Sequence, residues 1–183
     1  VIHEDYLPIV KNAMIEFQHD PNVDGLLFNY LHFYGSYDYV GSADSWYPYE
    51  IRVVKNDPSI RSFQDAQGFR IRDNQKLNVK PIAAYMYHYG WVKDPRAMQK
   101  KQEDFNKLWH SDDWVDENIA KVEEFDYLKG INSLHSFTEA HPEVMKERIS
   151  RINWKFDYDL SFNSRSTKHR VKGFLKKYLG LDF

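Results

Sequence analysis

Apolar and polar positions follow two different periods along the chain, one helical and one extended. Near the N-terminus, apolar residues recur every three or four positions, which predicts an amphipathic helix over residues 4–18; they are Tyr6, Val10, Ala13, Met14 and Phe17. Acidic residues occupy its first turn, and Pro8 lies early enough to be tolerated. Residues 25–34 are almost continuously apolar, as is typical of an interior strand.

A second apolar pattern has the period of two that a strand requires. Between residues 47 and 55, apolar side chains face one way and charged ones the other; they are Tyr49, Ile51 and Val53 against Glu50 and Arg52. Residues 79–89 alternate similarly, with an apolar face that ends in His88 and a tyrosine-rich face opposite. A short strand is predicted at residues 60–63 and a polar turn near residues 72–76. Residues 35–45 are rich in Gly, Ser, Asp and Tyr and are predicted to form a loop.

Helical patterns dominate the C-terminal part. Asp94 followed by Pro95 predicts an N-cap and the first turn of a helix that runs to about Trp109. The composition then becomes acidic, which indicates a helical appendage. Further helices are predicted from His141 onward and over residues 166–179.

These elements together predict an α/β fold of the mixed α+β kind. The helical patterns after residue 112 predict a helical C-terminal extension over residues 113–183.

Composition and charge restrict the classes of function. The chain has 183 residues, with 25 Lys and Arg against 27 Asp and Glu, and the net charge of −2 argues against general nucleic-acid binding. The absence of cysteine excludes disulfides and thiolate metal sites. No apolar run approaches the roughly 20 residues of a membrane span. Aromatic residues make up 16% of the chain, so some rings are expected to line a surface cleft that binds sugars or a partner.

Asp65 is the first candidate for chemistry. It lies in a predicted turn between Gln64 and Gln67, and Gly68 after it permits a ligand to approach the backbone closely. A carboxylate in such a turn can take the proton of a substrate hydroxyl as that oxygen becomes a nucleophile. From the residues alone, an aspartate that caps its own turn is the more common role.

His88, two arginines and two tryptophans are further candidates. His88 ends a strand face, where α/β sheets place ligand groups, and can ligate a divalent metal or contact phosphate. Its alternative role is a histidine at the edge of the core, bonded to a backbone carbonyl. Arg52 and Arg70 are candidates for anion binding, and Trp46 and Trp91 for stacking on sugar rings. Solvent-facing arginines and tryptophans that plug the core are the alternative interpretations.

The run from Trp46 to Trp91 carries a family resemblance. Its segments 46–56, 64–70 and 87–92 place aromatic rings, an isolated carboxylate, amides, guanidiniums and a histidine between apolar strands. In this order they resemble the acceptor-side half of bacterial family 2 glycosyltransferases of the GT-A fold. The resemblance covers roughly residues 1–112 and implies that they form part of a GT-A-like mixed sheet flanked by helices. Residues after about 113 carry no family signal.

The resemblance implies a reaction and a set of roles. The enzymes that the chain resembles are inverting glycosyltransferases. They move a sugar from a nucleotide-sugar donor to a hydroxyl of a glycan or lipid-linked acceptor, in glycan or cell-surface polysaccharide synthesis. Asp65 would be the base, and His88 would complete a site for Mn²⁺ or Mg²⁺. The substrate contacts would be Trp46, Arg52, Gln64, Gln67, Gly68, Arg70 and Trp91.

The resemblance also implies that a part of the family's domain lies upstream. In relatives, a nucleotide-binding half that ends in an acidic metal-binding motif precedes the segment matching Val1–Glu4. The chain is therefore expected to be a trimmed portion of a longer protein and inactive by itself. An open sheet edge in such a portion predicts self-association.

The predicted last helix has a basic face and an apolar face, which suit either an anionic membrane surface or docking on its own domain. The expected location is the cytoplasm, with peripheral contact at the inner membrane face if the helix binds lipid. A different class of function stays open, a non-catalytic carbohydrate- or protein-binding module. In that case the aromatic residues and the basic tail would serve binding alone.

Overall fold

The computed structural model describes residues 1–42, 46–63, 68–119, 121–131 and 133–162. It contains both helices and antiparallel sheets, so the predicted mixed α/β class is confirmed. The helices are α1 (Leu7–Phe17), α2 (Pro95–Lys107), α3 (Asp112–Asn118) and α4 (Lys146–Ser150). The strands are β1 (Gly25–Tyr34), β2 (Tyr39–Gly41), β3 (Tyr49–Val54), β4 (Ile60–Ser62), β5 (Phe69–Ile71), β6 (Gln75–Lys76), β7 (Val79–Trp91) and β8 (Leu134–Ser136). Short 3₁₀ turns at Glu4–Tyr6 and Glu143–Met145 precede α1 and α4.

The chain forms two compact units, each assembled from separate segments. The first unit comprises Val1–Leu31, Tyr47–His88 and Ala140–Lys146. The second comprises the described residues within His32–Trp46, Tyr89–Glu139 and Glu147–Phe183. The boundaries fall inside β1 and β7, so each of these strands contributes residues to both units. The division at residue 112 expected from the sequence stays a prediction.

α1 and three strands build the core of the first unit. Pro8 lies in the first turn of α1, where its missing N–H leaves no hydrogen bond unmade. Val10 and Ala13 of α1 are buried against Leu26 and Phe28 of β1 and against β7. β3 pairs antiparallel with β1, and β7 also pairs with β1. The helix thus covers the apolar part of one sheet face.

A separate small antiparallel sheet of the first unit consists of β4, β5 and β6. The Phe63 N–H donates to the carbonyl oxygen of Gly68 at 3.0 Å and closes the hairpin between β4 and β5. Between β5 and β6, Arg72 and Asn74 have positive φ angles of 50° and 64°. Asparagine is among the residues that adopt this left-handed conformation most readily. The polar turn predicted near residues 72–76 is therefore confirmed over its first half, and β6 follows it.

Aromatic residues form the core of the second unit. The end of β1 pairs with β2 at Phe33 and Val40, and β2 pairs antiparallel with β8. A buried cluster packs beside these strands; its members are Tyr34, Met98, Tyr127, Ile131, Leu134 and Tyr158. α2 begins as predicted, because Asp94 Oδ1 accepts hydrogen bonds from the N–H groups of Arg96 at 3.0 Å and Ala97 at 3.4 Å.

The sequence patterns predicted some elements correctly and missed others. β1 has the predicted bounds, and β3, β4, β7 and α2 lie within two residues of theirs; α1 begins three residues later than predicted, after a 3₁₀ turn. The predicted loop 35–45 instead contains β2, because Val40 is buried and pairs with strands on both sides. Tertiary pairing here outweighs a loop-like composition.

The acidic helical appendage is shorter than predicted, since α3 ends at Asn118. Beyond it, the Phe125 N–H donates to the carbonyl oxygen of Pro95 at 3.1 Å, and the Tyr127 hydroxyl donates to that of Lys93 at 2.9 Å. These bonds hold residues 125–127 against the start of α2 in a non-helical course. The helix predicted over residues 166–179 lies outside the described residues. Within the described part, no helix is long and apolar enough to cross a membrane.

Candidate functional site

A group of polar and aromatic side chains lies beside the second half of β1, in the first unit. We call it the Tyr30 cluster; its members are Tyr30, Tyr47, Glu50, Arg52 and His88. β1 supplies Tyr30, β3 supplies Glu50 and Arg52, β7 supplies His88, and Tyr47 precedes β3. Arg52 and His88 were both predicted as ligand contacts, and both now lie against Tyr30.

A β-bulge in β3 shapes this cluster. Leu26 pairs with Val53 whereas Leu27 pairs with Ile51, so Arg52 is the extra residue of the bulge. Val53 consequently faces the same side as Leu26 and packs in its apolar cluster. The prediction that Val53 and Ile51 share one face is wrong, because the bulge interrupts the alternation.

One guanidinium nitrogen of Arg52 joins the polar groups of the cluster. Its Nη2 donates to the hydroxyl oxygen of Tyr30 at 2.7 Å and to Oε2 of Glu50 at 2.5 Å. The Glu50 side chain is 10% exposed and that of Arg52 is 34% exposed. The carboxylate therefore lies below a guanidinium that reaches solvent, and this partner offsets the cost of burying a charge.

The rings of the cluster gather around Tyr30. Its centroid lies 5.4 Å from that of Tyr47 and 5.6 Å from that of His88. The guanidinium carbon of Arg52 lies 5.5 Å from the same centroid, within the range of a cation–π contact. Half of Tyr47 is exposed, so its ring meets solvent.

Burial raises the pKa of Tyr30 to about 12, although the hydrogen bond from Arg52 acts in the opposite direction. For Arg52, burial lowers the pKa, but the contacts with Tyr30 and Glu50 raise it by more. At neutral pH the phenol is therefore uncharged and the guanidinium is positive. The ion pair of Arg52 with Glu50 carries no net charge.

The two predicted tryptophans belong to the second unit and lie among other rings. Trp46 and Trp91 have centroids 6.3 Å apart, and both contact Tyr34. Nε1 of Trp46 is buried and has no hydrogen-bond partner among the described residues. A Cβ on Gly41 would lie 2.4 Å from this nitrogen, so glycine lets the indole pack directly on the backbone. This geometry favours Trp46 as a core plug over a sugar platform.

Trp91 has a cation over its ring. Nζ of Lys101 lies 5.2 Å from the ring centroid and donates to the carbonyl oxygen of Gly90 at 2.8 Å. Burial lowers the pKa of Lys101, and repulsion from Lys93 lowers it further. The ammonium group thus occupies a ring face that a stacked sugar would need.

Gly68 and Arg70 lie on the hairpin of β4 and β5. The Arg70 guanidinium stacks on the ring of Phe63 at 4.3 Å, and its Nη1 donates to the carbonyl oxygen of Phe69 at 2.8 Å. A Cβ on Gly68 would meet no atom of the described residues within 4 Å, so these residues leave the surface beside it open. The other residues predicted here, Gln64, Asp65 and Gln67, lie outside the described part of the chain. The base role of Asp65 stays a prediction.

The described residues do not by themselves fit a divalent metal. In the described ranges, no group of three or more His, Asp or Glu side chains that could hold a metal occurs. The Tyr30 cluster has a single carboxylate, Glu50, which Arg52 engages. His88 would supply one ligand of a site completed by other residues, so the expected Mn²⁺ or Mg²⁺ stays a prediction.

The first unit also has a mainly apolar pocket of about 260 Å³, lined by α1, β1 and β3. Its lining includes Phe17, Leu26 and Val53, and none of the residues predicted for the site. Few of its groups can donate or accept hydrogen bonds, so the Tyr30 cluster is the better candidate for chemistry.

Sequence reasoning did not single out Tyr30, Tyr47 or Glu50 as site residues. One usable signal was present, since Glu50 and Arg52 are two positions apart on a predicted strand and share a side of it. A second was the polar break that Asn29 and Tyr30 make in an otherwise apolar interior strand.

In three comparisons, no protein-family model, curated protein or solved structure matches this chain.

Proposed function

We propose that this chain is the acceptor-side part of an inverting glycosyltransferase. The complete protein would transfer a sugar from a nucleotide-sugar donor to a hydroxyl of a glycan or lipid-linked acceptor. The resemblance of residues 46–91 to family 2 enzymes supports this reaction class. The chain alone would lack the donor-binding half and would bind ligand without turnover.

In the proposed reaction, Asp65 takes the proton of the acceptor hydroxyl as its oxygen attacks the anomeric carbon of the donor. The bond from that carbon to the nucleoside diphosphate breaks on the opposite face, so the configuration inverts. The Tyr30 cluster would hold a sugar, with Arg52 as a hydrogen-bond donor. A divalent metal, when bound, would neutralise the leaving diphosphate.

The observation that carries the proposal is the meeting of Arg52 and His88 at Tyr30. These two residues are 36 positions apart in the sequence, and the resemblance implies a ligand-binding role for both. Both contact the same ring, and Arg52 and the exposed Tyr47 reach solvent. Aromatic rings beside groups that donate and accept hydrogen bonds are common in sites for polar small molecules.

The test is turnover by the protein that contains this chain together with an upstream nucleotide-binding half. Nucleoside diphosphate release would be measured with Mn²⁺ or Mg²⁺ across a panel of nucleotide-sugars and glycan acceptors. Loss of a general base lowers a rate by about 10²–10⁴-fold, so Asp65→Asn should lower kcat by that factor. Asp73→Asn, an exposed aspartate in the turn after β5, is the matched control and should retain full activity.

Equal rates for Asp65→Asn and Asp73→Asn would remove Asp65 from the role of base. A protein that binds no nucleotide and releases no diphosphate would contradict the transferase proposal as a whole.

A non-catalytic carbohydrate-binding module is the second candidate. It is favoured by the one carboxylate of the Tyr30 cluster, Glu50, which is bonded to Arg52 and so is poorly placed to act as a base. Glycan binding by the extended protein, with no nucleotide binding, would support this candidate over the first.

A further inference from the structure

We infer that Glu50 determines the ligand class of the Tyr30 cluster, because its ion pair with Arg52 makes the cluster a subsite for an uncharged sugar and disfavours phosphate and uronate groups. This inference rests on the proposed function for its substrate, a saccharide, and adds a selectivity that the sequence did not suggest. From the sequence, Arg52 was a candidate for contact with an anion.

Within the Tyr30 cluster, the positive charge of Arg52 is balanced by the negative charge of Glu50. An arginine without a partner attracts phosphate or carboxylate through paired N–H donors. Here Nη2 of Arg52 already donates to Oε2 of Glu50 at 2.5 Å and to the Tyr30 hydroxyl at 2.7 Å. An incoming anion would meet the guanidinium together with a carboxylate of its own sign, and like charges at this separation repel.

Glu50 is shielded from water by its low exposure. Its side chain is 10% exposed, so water screens its charge only weakly and the carboxylate is held where Arg52 covers it. Exposed ion pairs elsewhere in the chain differ in this respect, since the side chains of Glu147 in α4 and Arg151 just after it are about three-quarters exposed. The Glu50 carboxylate is therefore better shielded from water than the carboxylate of that surface pair.

The Arg52 guanidinium keeps further N–H groups for hydrogen bonds to a ligand. Among the described residues, only Nη2 of the Arg52 guanidinium makes hydrogen bonds, so its Nε and Nη1 groups can donate to a ligand. A sugar hydroxyl both donates and accepts, so it can accept from these N–H groups and donate to the small part of the Glu50 carboxylate that stays exposed. The exposed ring of Tyr47 beside this pair provides an apolar surface for the carbon face of a sugar.

The experiment measures ligand binding to the chain itself by nuclear magnetic resonance titration. The uncharged probes are methyl glucoside, methyl galactoside and N-acetylglucosamine, and the anionic probes are glucuronic acid and inorganic pyrophosphate. The wild type should bind at least one uncharged probe and bind both anions more weakly. Glu50→Gln should weaken the uncharged sugar by about tenfold, the factor for one charge-assisted hydrogen bond, and should strengthen pyrophosphate by a similar factor.

Two further variants make the result specific. Glu147→Gln removes the carboxylate partner of another arginine, Arg151, at an exposed site and should change neither affinity. Arg52→Gln removes the cation instead, so it should weaken the uncharged sugar without any gain for pyrophosphate. This second variant tests the same charge balance if Glu50→Gln does not fold.

Each outcome decides the inference. A wild type that prefers pyrophosphate or glucuronic acid, that binds no probe, or whose selectivity is unchanged by Glu50→Gln and Arg52→Gln overturns it. Failure of the proposed function is separable, because it would appear as absent diphosphate release in the extended protein. A sugar-selective cluster in a protein without turnover would leave this inference standing and identify a binding module.

Discussion

Replacing Gly35 by alanine is expected to destabilise the second unit strongly. Gly35 follows β1 with φ of +72°, a left-handed conformation that costs a residue with a Cβ about 1–2 kcal/mol. A Cβ there would also lie 2.4–2.7 Å from ring atoms of Phe156, and overpacking of this kind costs about 1–3 kcal/mol. The two effects predict a loss of about 2–5 kcal/mol in the free energy of unfolding.

The structure supplies a matched control for this prediction. Gly130 also has a left-handed φ, +81°, but among the described residues a Cβ on it would meet no atom within 4 Å. Gly130→Ala should therefore cost only the conformational part, about 1–2 kcal/mol. Urea denaturation of both variants, with the free energy of unfolding taken from each midpoint, measures the difference. Phe156→Leu combined with Gly35→Ala should restore part of the stability, since the smaller side chain relieves the contact.

Equal losses for Gly35→Ala and Gly130→Ala would refute the close packing of Phe156 on the backbone after β1. The same result would also argue against the position of Trp91, because the backbone N–H of Gly35 donates to the Trp91 carbonyl oxygen at 3.0 Å. Stability of the turn is thus tied to the position of one predicted substrate contact.

Three other predictions address the caps, the buried phenols and the open glycine. Asp94→Ala should lower the free energy of unfolding by about 1 kcal/mol, because α2 loses its N-cap, whereas Asp104→Ala on the exposed side of α2 should not; urea denaturation compares them. Burial raises the pKa of Tyr34 and Tyr127, and that of Tyr30 to about 12. Because the folded state holds these protons above the ordinary value of 10.0, their contribution to stability should be complete below that pH and be lost as the pH rises toward 12. Phenolate absorbance and the free energy of unfolding would be measured between pH 10 and pH 12. If all tyrosines of the folded protein ionise near pH 10, the predicted burial of these phenols is wrong. Gly68→Ala should change stability by less than about 0.5 kcal/mol, so a large loss of diphosphate release in this variant would place ligand at the hairpin.

Elements with a strong local signal were predictable from the sequence. β1 has a continuous apolar run, and Asp94 with Pro95 forms a standard helix start, so both were correctly predicted. β2 and β8 carry no such signal, because their strand structure depends on pairing between Val40 and His135, residues 95 positions apart. Long-range pairing of this kind leaves no trace in a local window.

The candidate site divides in the same way. Residue types suited to ligand binding were visible in Arg52 and His88, and the fold brings both to Tyr30. Their partners were not visible, since the contact between Arg52 and Tyr30 joins two strands. Trp46 shows the reverse case, in which a residue type typical of sugar binding is used for packing on Gly41.

The bulge in β3 links the fold to the ligand class that the cluster can take. In a regular register, Arg52 would stand opposite Leu26, in the apolar cluster below α1, where an unpaired charge is costly. The extra residue places Val53 there and leaves Arg52 to reach Tyr30 and Glu50. Residues 49–54 contain no glycine or proline that would indicate this bulge, so alternation alone predicted the wrong face for Val53. The position of this charge pair is thus set by strand register, because the extra residue lets Val53 rather than Arg52 pair with Leu26.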